Sequence, residues 1–246
     1  MHAGILIPRP YRLTTFIGVI AVTSLVGCGS GGDEKRESTT FEIPNDEVTI
    51  SKGSGDIYIR PANVDQLEVT RWFTGNSDDA IWKMSAGELT LDTDCGPFSA
   101  CDIRYEVRVP ETTTVTLSGD NGNVTAAGFN TPFAVSTDNG SIQVSDMSGD
   151  LTLNSANGDQ TATGVTSQNV TANAESGAID LTFAEAPSDV AITTENGSVT
   201  LTVPDVAYSV STITDSGDIE DSLANDPKSA KTLTVSTESG SITLST

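Results

Sequence analysis

One short phrase recurs along this chain, and a fixed recurrence constrains a fold more tightly than composition does. Two apolar residues spaced two apart lead into a polar step, an acid, Asn or Ser, and Gly. Two more apolar residues spaced two apart follow. The apolar and Gly positions read Val115, Leu117, Gly122, Val124; then Phe133, Val135, Gly140, Ile142, Val144. Later copies read Val190, Ile192, Gly197, Val199, Leu201 and Leu233, Val235, Gly240, Ile242, Leu244. With Gly as marker, the copies fall at Gly55, Gly122, Gly140, Gly158, Gly177, Gly197, Gly217 and Gly240, spaced 18, 18, 19, 20, 20 and 23 residues from Gly122 onward.

Alternation on both sides of the Gly, rich in β-branched residues and Thr, predicts strands with Val, Ile, Leu and Phe inward and Thr and Ser outward. Asn-Gly and Ser-Gly supply a corner, since Gly tolerates positive φ. Two topologies fit: antiparallel hairpins in a sandwich, or a coil adding one parallel rung per period. The recurrence of a single corner phrase favours the coil, because in a coil each position stacks on its own equivalent. The expected fold is all-β, a β-solenoid of 18–23-residue rungs with two strands each. A looser second corner is expected near Asp146 to Gly149, Ala186 to Asp189 and Pro204 to Asp205. Three local departures are expected. The Gly158 rung is weak, with Gln160 and Ala162 at apolar positions. The Gly217 copy carries Thr212 and Ile213 as extra residues, which predicts a bulge. Asn225 to Lys228 reads as a protruding loop. Residues 42–114, where the period breaks, read as an atypical N-terminal cap and first rungs, and 115–246 as the regular repeats. The last strand, ending at Thr246, reads as an open edge needing cover.

The N-terminal residues read as an export signal over 1–27: Arg9 and Arg12 precede an apolar run from Leu13 to Gly27 that is short for a membrane span. The run ends in Leu25-Val26-Gly27-Cys28, which resembles the lipobox of bacterial lipoproteins; the resemblance implies a lipidated, membrane-anchored Cys28. Residues 28–41 are polar and Gly-rich and read as a flexible tether. If Cys28 is lipidated, Cys95 and Cys101 remain as an even pair in an oxidising compartment, and a disulfide is expected, contributing about 2 kcal/mol through loop entropy. A metal pair is the rival reading, but beyond the signal the chain holds no His and no further Cys.

Net charge is −22, and no Lys or Arg occurs between Val109 and Pro227. Nucleic acid binding, which requires cations to displace phosphate counterions, is excluded by this balance, and acidic polysaccharides are disfavoured. Asp120, Asp138, Glu175, Glu195, Asp215 and Glu238 each lie two before a marker Gly, with Ala156 interrupting the series. Stacked rungs would set these carboxylates about 4.8 Å apart, repelling by roughly 1 kcal/mol even in water. Weak, distributed Ca²⁺ binding could relieve that repulsion; splaying into solvent is the alternative. No other cofactor is implied. Trp72, Phe73 and Trp82 are candidates for a sugar contact or for the core of the cap.

Several features converge on one family. The Cys28 lipobox, Val69-Thr70-Arg71-Trp72-Phe73, the Cys95 to Cys101 loop followed by Arg104 to Pro110, and the acid-Asn/Ser-Gly corners resemble a bacterial family of adhesin-like lipoproteins with β-strand repeats, actinobacterial members above all. The resemblance implies a β-solenoid and a non-enzymatic binding or structural role at the cell surface, outside the cytoplasm. Its partners would be the membrane, through the lipid, and an envelope protein or a neutral glycan. This chain departs from those lipoproteins in lacking Arg beside its corner glycines. Two rival functions remain: a polysaccharide-acting β-helix enzyme, and an envelope sensor or scaffold.

Overall fold

The protein, seen in a computed structural model, is described over residues 34–74, 80–92 and 103–246. Cys28, Cys95 and Cys101 lie outside these residues, so the lipid anchor and the disulfide are not described. The expected β-solenoid is what the repeat builds. Among the described residues one sheet has eleven strands. Its spatial order is β1 (Lys35–Phe41), β4 (Leu67–Phe73), β7 (Ile103–Pro110), β3 (Asp56–Ala62), β9 (Val124–Ala127), β11 (Ile142–Ser145), β13 (Gln160–Val165), β15 (Ile179–Phe183), β17 (Val199–Thr202), β21 (Ile242–Ser245) and β19 (Ile219–Asp221). A second sheet of ten runs β18 (Ser209–Ser216), β20 (Thr232–Ser239), β16 (Asp189–Asn196), β14 (Asn169–Ser176), β12 (Leu151–Asn157), β10 (Phe133–Asn139), β8 (Thr114–Asn121), β2 (Glu47–Lys52), β6 (Glu88–Asp92) and β5 (Ile81–Ser85).

The regular rungs pair in parallel, so equivalent side chains stack in files between the sheets. Val115, Phe133, Leu151, Val170, Val190 and Leu233 form one file. Ile142, Gln160, Ile179, Val199, Ile242 and Ile219 form another on the facing sheet. Except for Ile219 on the open edge, which is 43% exposed, each Val, Leu or Ile of these files is essentially sealed from water, worth about 1.5–3 kcal/mol per side chain. The looser second corner adds a file of Phe129, Met147, Val165, Phe183 and Val203, all buried.

The corner glycines also stack, and the reason goes beyond φ. A Cβ on Gly197, whose φ lies outside the left-handed region, would sit 1.9 Å from the Gly177 carbonyl oxygen. The backbone of one corner rests directly on the next, and only hydrogen fits between them.

The structure corrects several expectations. Residues 35–41 are not tether: they form β1, antiparallel to β4. The segment is too polar to look like a strand, but the open edge of β4 supplies backbone partners that do not depend on side chains. The rungs do not stack in chain order at the C-terminal end. β20 and β21 insert between β16–β17 and β18–β19, so the last strand is flanked on both sides and the open edge belongs to β18 and β19. The physical reason is burial. The Leu233, Val235, Ile242 and Leu244 rung can be buried on both sides, whereas Thr212 and Asp221 occupy the equivalent positions of the Gly217 rung. An inward charge on a short edge strand also blunts further strand addition. No bulge forms at Thr212 and Ile213, because Val210 stands seven residues before Gly217 just as Leu233 stands seven before Gly240; nothing is inserted, and β18 pairs with β20 without a shift. A register shift falls instead between Ala162 and Val165, beside Gly164 at φ 65°. The Asn225 to Lys228 loop is exposed as expected, yet pinned at its base: Asp226 N donates to Tyr208 O at 2.7 Å and Ser229 Oγ to Ala207 O at 2.9 Å.

Candidate functional site

Alternation leaves two outward faces. On the second sheet, Ser118, Ser136, Asn154, Asn173, Thr193 and Ser236 form one outer file in register. Beside it run Thr116, Ala134, Thr152, Thr171, Ala191 and Thr234. The facing sheet carries Thr125, Gln143, Thr161, Asp180, Thr200 and Thr243. Both faces are therefore lattices dominated by hydroxyl and amide groups, with Ala134, Ala191 and Asp180 as exceptions, repeating at the strand spacing of about 4.8 Å.

The six acids predicted as a ladder lie along the corner edge of the second sheet, all exposed. Their spatial order is Asp120, Asp138, then Ala156 in the gap, then Glu175, Glu195, Glu238 and Asp215. Among the described residues no three acidic, His or Cys side chains converge on a common point. Asparagines knit the neighbouring corner: Asn139 Nδ2 donates to Asn121 Oδ1 and Asn157 Nδ2 to Asn139 Oδ1, both at 3.4 Å.

The three aromatic candidates part company. Phe73 points into the core. Trp72 lies half-buried on the outer face, with the Arg36 guanidinium 5.5 Å and the Arg104 guanidinium 5.0 Å from its ring centre. Trp82 carries Arg71 at 4.2 Å. Arg71 is itself buried and donates to Glu37 Oε2 at 2.6 and 2.9 Å and to Ala80 O at 2.9 Å. Arg104, Arg108 and Arg60 pair with Glu34, Glu68 and Glu106. These guanidinium–aromatic stacks and cross-strand ion pairs hold β1, β4, β7 and β3 together.

Two inward polar features are absent from the simple pattern of apolar-in, hydroxyl-out. The third inward position before each corner is small or polar, not outward: Thr137, Ser155, Thr194 and Thr237 are buried. Thr237 Oγ1 donates to Gly197 O at 3.0 Å and Ser155 Oγ to Gly158 O at 2.9 Å, so these two hydroxyls satisfy corner carbonyls, while those of Thr137 and Thr194 have no partner among the described residues. In the Gly55 rung that position is Lys52, 2% exposed. Its Nζ donates to Gly55 O and Asn121 O, each at 2.6 Å. Gly119 lies opposite it, and a Cβ there would come within 3.0 Å of Lys52 Cε. Burial lowers the Lys52 pKa to about 8, with Asp56 and Asp120 opposing the shift. The phase of alternation was the available signal: Val48, Ile50 and Lys52 share one face, as do Val69, Arg71 and Phe73.

A model of the Toastrack DUF4097 family matches residues 22–246. No curated protein matches the chain. Among solved structures, a candidate adhesin from Bacteroides fragilis NCTC 9343 aligns with a TM-score of 0.60 at 15% identity, covering 85% of this chain and 97% of that one. A candidate lipid-binding protein from Parabacteroides distasonis ATCC 8503 aligns at 0.54 and 12%, covering 88% and 97%. A candidate adhesin from the same organism aligns at 0.53 and 10%, covering 86% and 97%. At these identities the likeness shows a shared fold. With the family match spanning the repeat and its N-terminal rungs alike, the chain belongs to the Toastrack DUF4097 family.

Proposed function

We propose that this protein is an extracytoplasmic, lipid-anchored adhesive module that binds without catalysing a reaction. The observation carrying this reading is the pair of outer lattices, dominated by hydroxyl and amide groups in register over a continuous apolar core. A rigid, repeating polar face suits recognition of an extended partner through many weak contacts, whereas catalysis needs a few groups gathered in a water-excluding cleft. Similarity to solved candidate adhesins supports the same reading. Cys28 supplies the anchor, and a Cys95–Cys101 disulfide braces the connection between β6 and β7.

Two measurements test this. Labelled palmitate fed to producing cells is expected in the wild-type protein and absent from Cys28→Ala. The purified protein is expected to bind isolated cell envelopes saturably, with no release of soluble sugar or peptide. Product release during binding, or no binding at all, would overturn the adhesive reading; palmitate in Cys28→Ala would overturn the anchor.

A further inference from the structure

The acidic edge of β10, β12, β14 and β16 is interrupted at Ala156, and the missing carboxylate leaves a groove of about 380 Å³. That volume lies within the range of about 300–1,000 Å³ found for small-ligand sites. Ala156 lines it among Ser136, Asn154 and Asn173, with Asp138 on one side and Glu175 and Glu195 on the other. Asp138 and Glu175 are two rungs apart, or about 10 Å.

The polar groups of this groove are fixed from above and below. Asn173 Nδ2 donates to Asn154 Oδ1 at 2.9 Å. This leaves the Asn154 amino group as a donor and the Asn173 side-chain carbonyl as an acceptor. Beneath them, Gln160, fully buried, crosses the core: its Nε2 donates to Ser155 Oγ at 2.9 Å and to the Asn173 backbone carbonyl at 2.5 Å. The wall residue Thr137 is 1% exposed and its hydroxyl has no partner among the described residues. The rung whose Gln160 and Ala162 looked weakest in sequence is thus the rung tied across the core to the backbone beneath the groove. Preorganised polar groups of this kind bind at a reduced ordering cost.

We propose that this groove is a subsite for a neutral, hydroxyl-rich saccharide, a site that deepens and rests on the adhesive reading above. The Asp138 carboxylate at one end and the Glu175 and Glu195 carboxylates at the other accept hydrogen bonds from hydroxyls, the Asn154 amide donates, the Asn173 side-chain carbonyl accepts, and the Ala156 methyl meets a C–H face of the ring. Sugars bearing carboxylate or sulfate are repelled, since no Lys or Arg lies between Val109 and Pro227 to receive them.

The test uses the full-chain protein against immobilised neutral tetrasaccharides (cellotetraose, maltotetraose, xylotetraose, mannotetraose), with oligogalacturonate as the anionic control. Ala156→Glu restores the interrupted edge and fills the groove; Thr234→Glu adds the same charge to the same face on β20, outside it. At least one neutral probe is expected to bind, with affinity reduced tenfold or more by Ala156→Glu and within twofold of wild type for Thr234→Glu. Melting temperatures of both variants are expected within a few degrees of wild type, which separates a filled groove from a damaged fold. Equal loss in both variants would overturn the groove and leave the adhesive face standing. Binding only of oligogalacturonate, or of no probe at millimolar concentration, would overturn the saccharide assignment, while envelope binding reports separately on the adhesive reading.

Discussion

Replacing Gly197 by Ala separates two reasons for a corner glycine. A Cβ at that position meets the Gly177 carbonyl oxygen at 1.9 Å and its carbon at 2.7 Å, where ordinary contact begins at 3.4 Å. The two rungs must part locally by roughly 1.5 Å. Two hydrogen bonds span that gap, Gly177 N to Asn196 O and Ile179 N to Ser198 O, each 3.0 Å long. Losing them costs about 1 kcal/mol each, and loosening the Ile179–Val199 contact adds about 1–2 kcal/mol. The expected destabilisation is about 3–4 kcal/mol, or roughly 6–16 °C in melting temperature at about 2–4 °C per kcal/mol for a chain of this size. Gly87 is the comparison. Its φ is +85°, but the nearest atom to an added Cβ is Pro44 Cγ at 3.5 Å. Gly87→Ala therefore suffers only the left-handed backbone cost of about 1–2 kcal/mol. Thermal unfolding of both variants by circular dichroism decides the matter. If Gly197→Ala melts within 2 °C of wild type, or loses less than Gly87→Ala, close backbone stacking is not what selects glycine at these corners.

Three further outcomes follow from the same geometry. With the Lys52 pKa lowered to about 8 from 10.5, the unfolded chain holds that proton longer, so stability rises from about pH 8 to pH 10. Tyr105, pushed up to about 12 mainly by burial, makes stability fall above pH 10; Lys52→Met is expected to flatten the rise in melting temperature between pH 7.5 and 10, and an unchanged slope would refute this. Asp221→Leu extends the Leu244 file to the open end and removes the inward charge, so sedimentation is expected to show concentration-dependent association absent from wild type; a monomeric variant would show that Asp221 is no end guard. Along the acidic edge, Glu195→Gln or Glu238→Gln is expected to stabilise by about 0.2–1 kcal/mol at low salt, a gain that vanishes in 0.5 M NaCl as screening sets in; a gain independent of salt would point away from charge repulsion.

Much of this architecture was legible before any coordinates. The corner phrase specified a parallel coil, and the alternation placed Ile142, Ile179, Val199 and Ile219 in one file, because a period-two strand on a fixed turn leaves each side chain a single choice of face. The Ala156 interruption was visible as a gap in a list of acids; that the gap is a groove, floored by an alanine and braced by Gln160, required the facing sheet. Lys52 and Arg71 sat in the inward phase all along, yet only the fold shows Gly119 making room for one and Glu37 reaching the other. The order of the rungs was least readable from the repeat. Near-identical units offer near-identical stacking surfaces, so the pattern alone does not say which copy lies against which. That was decided by tertiary packing: the rung with four apolar inward residues is buried on both sides, the rung bearing Thr212 and Asp221 faces water, and the polar segment 35–41 becomes a strand because β4 leaves it a backbone to pair with.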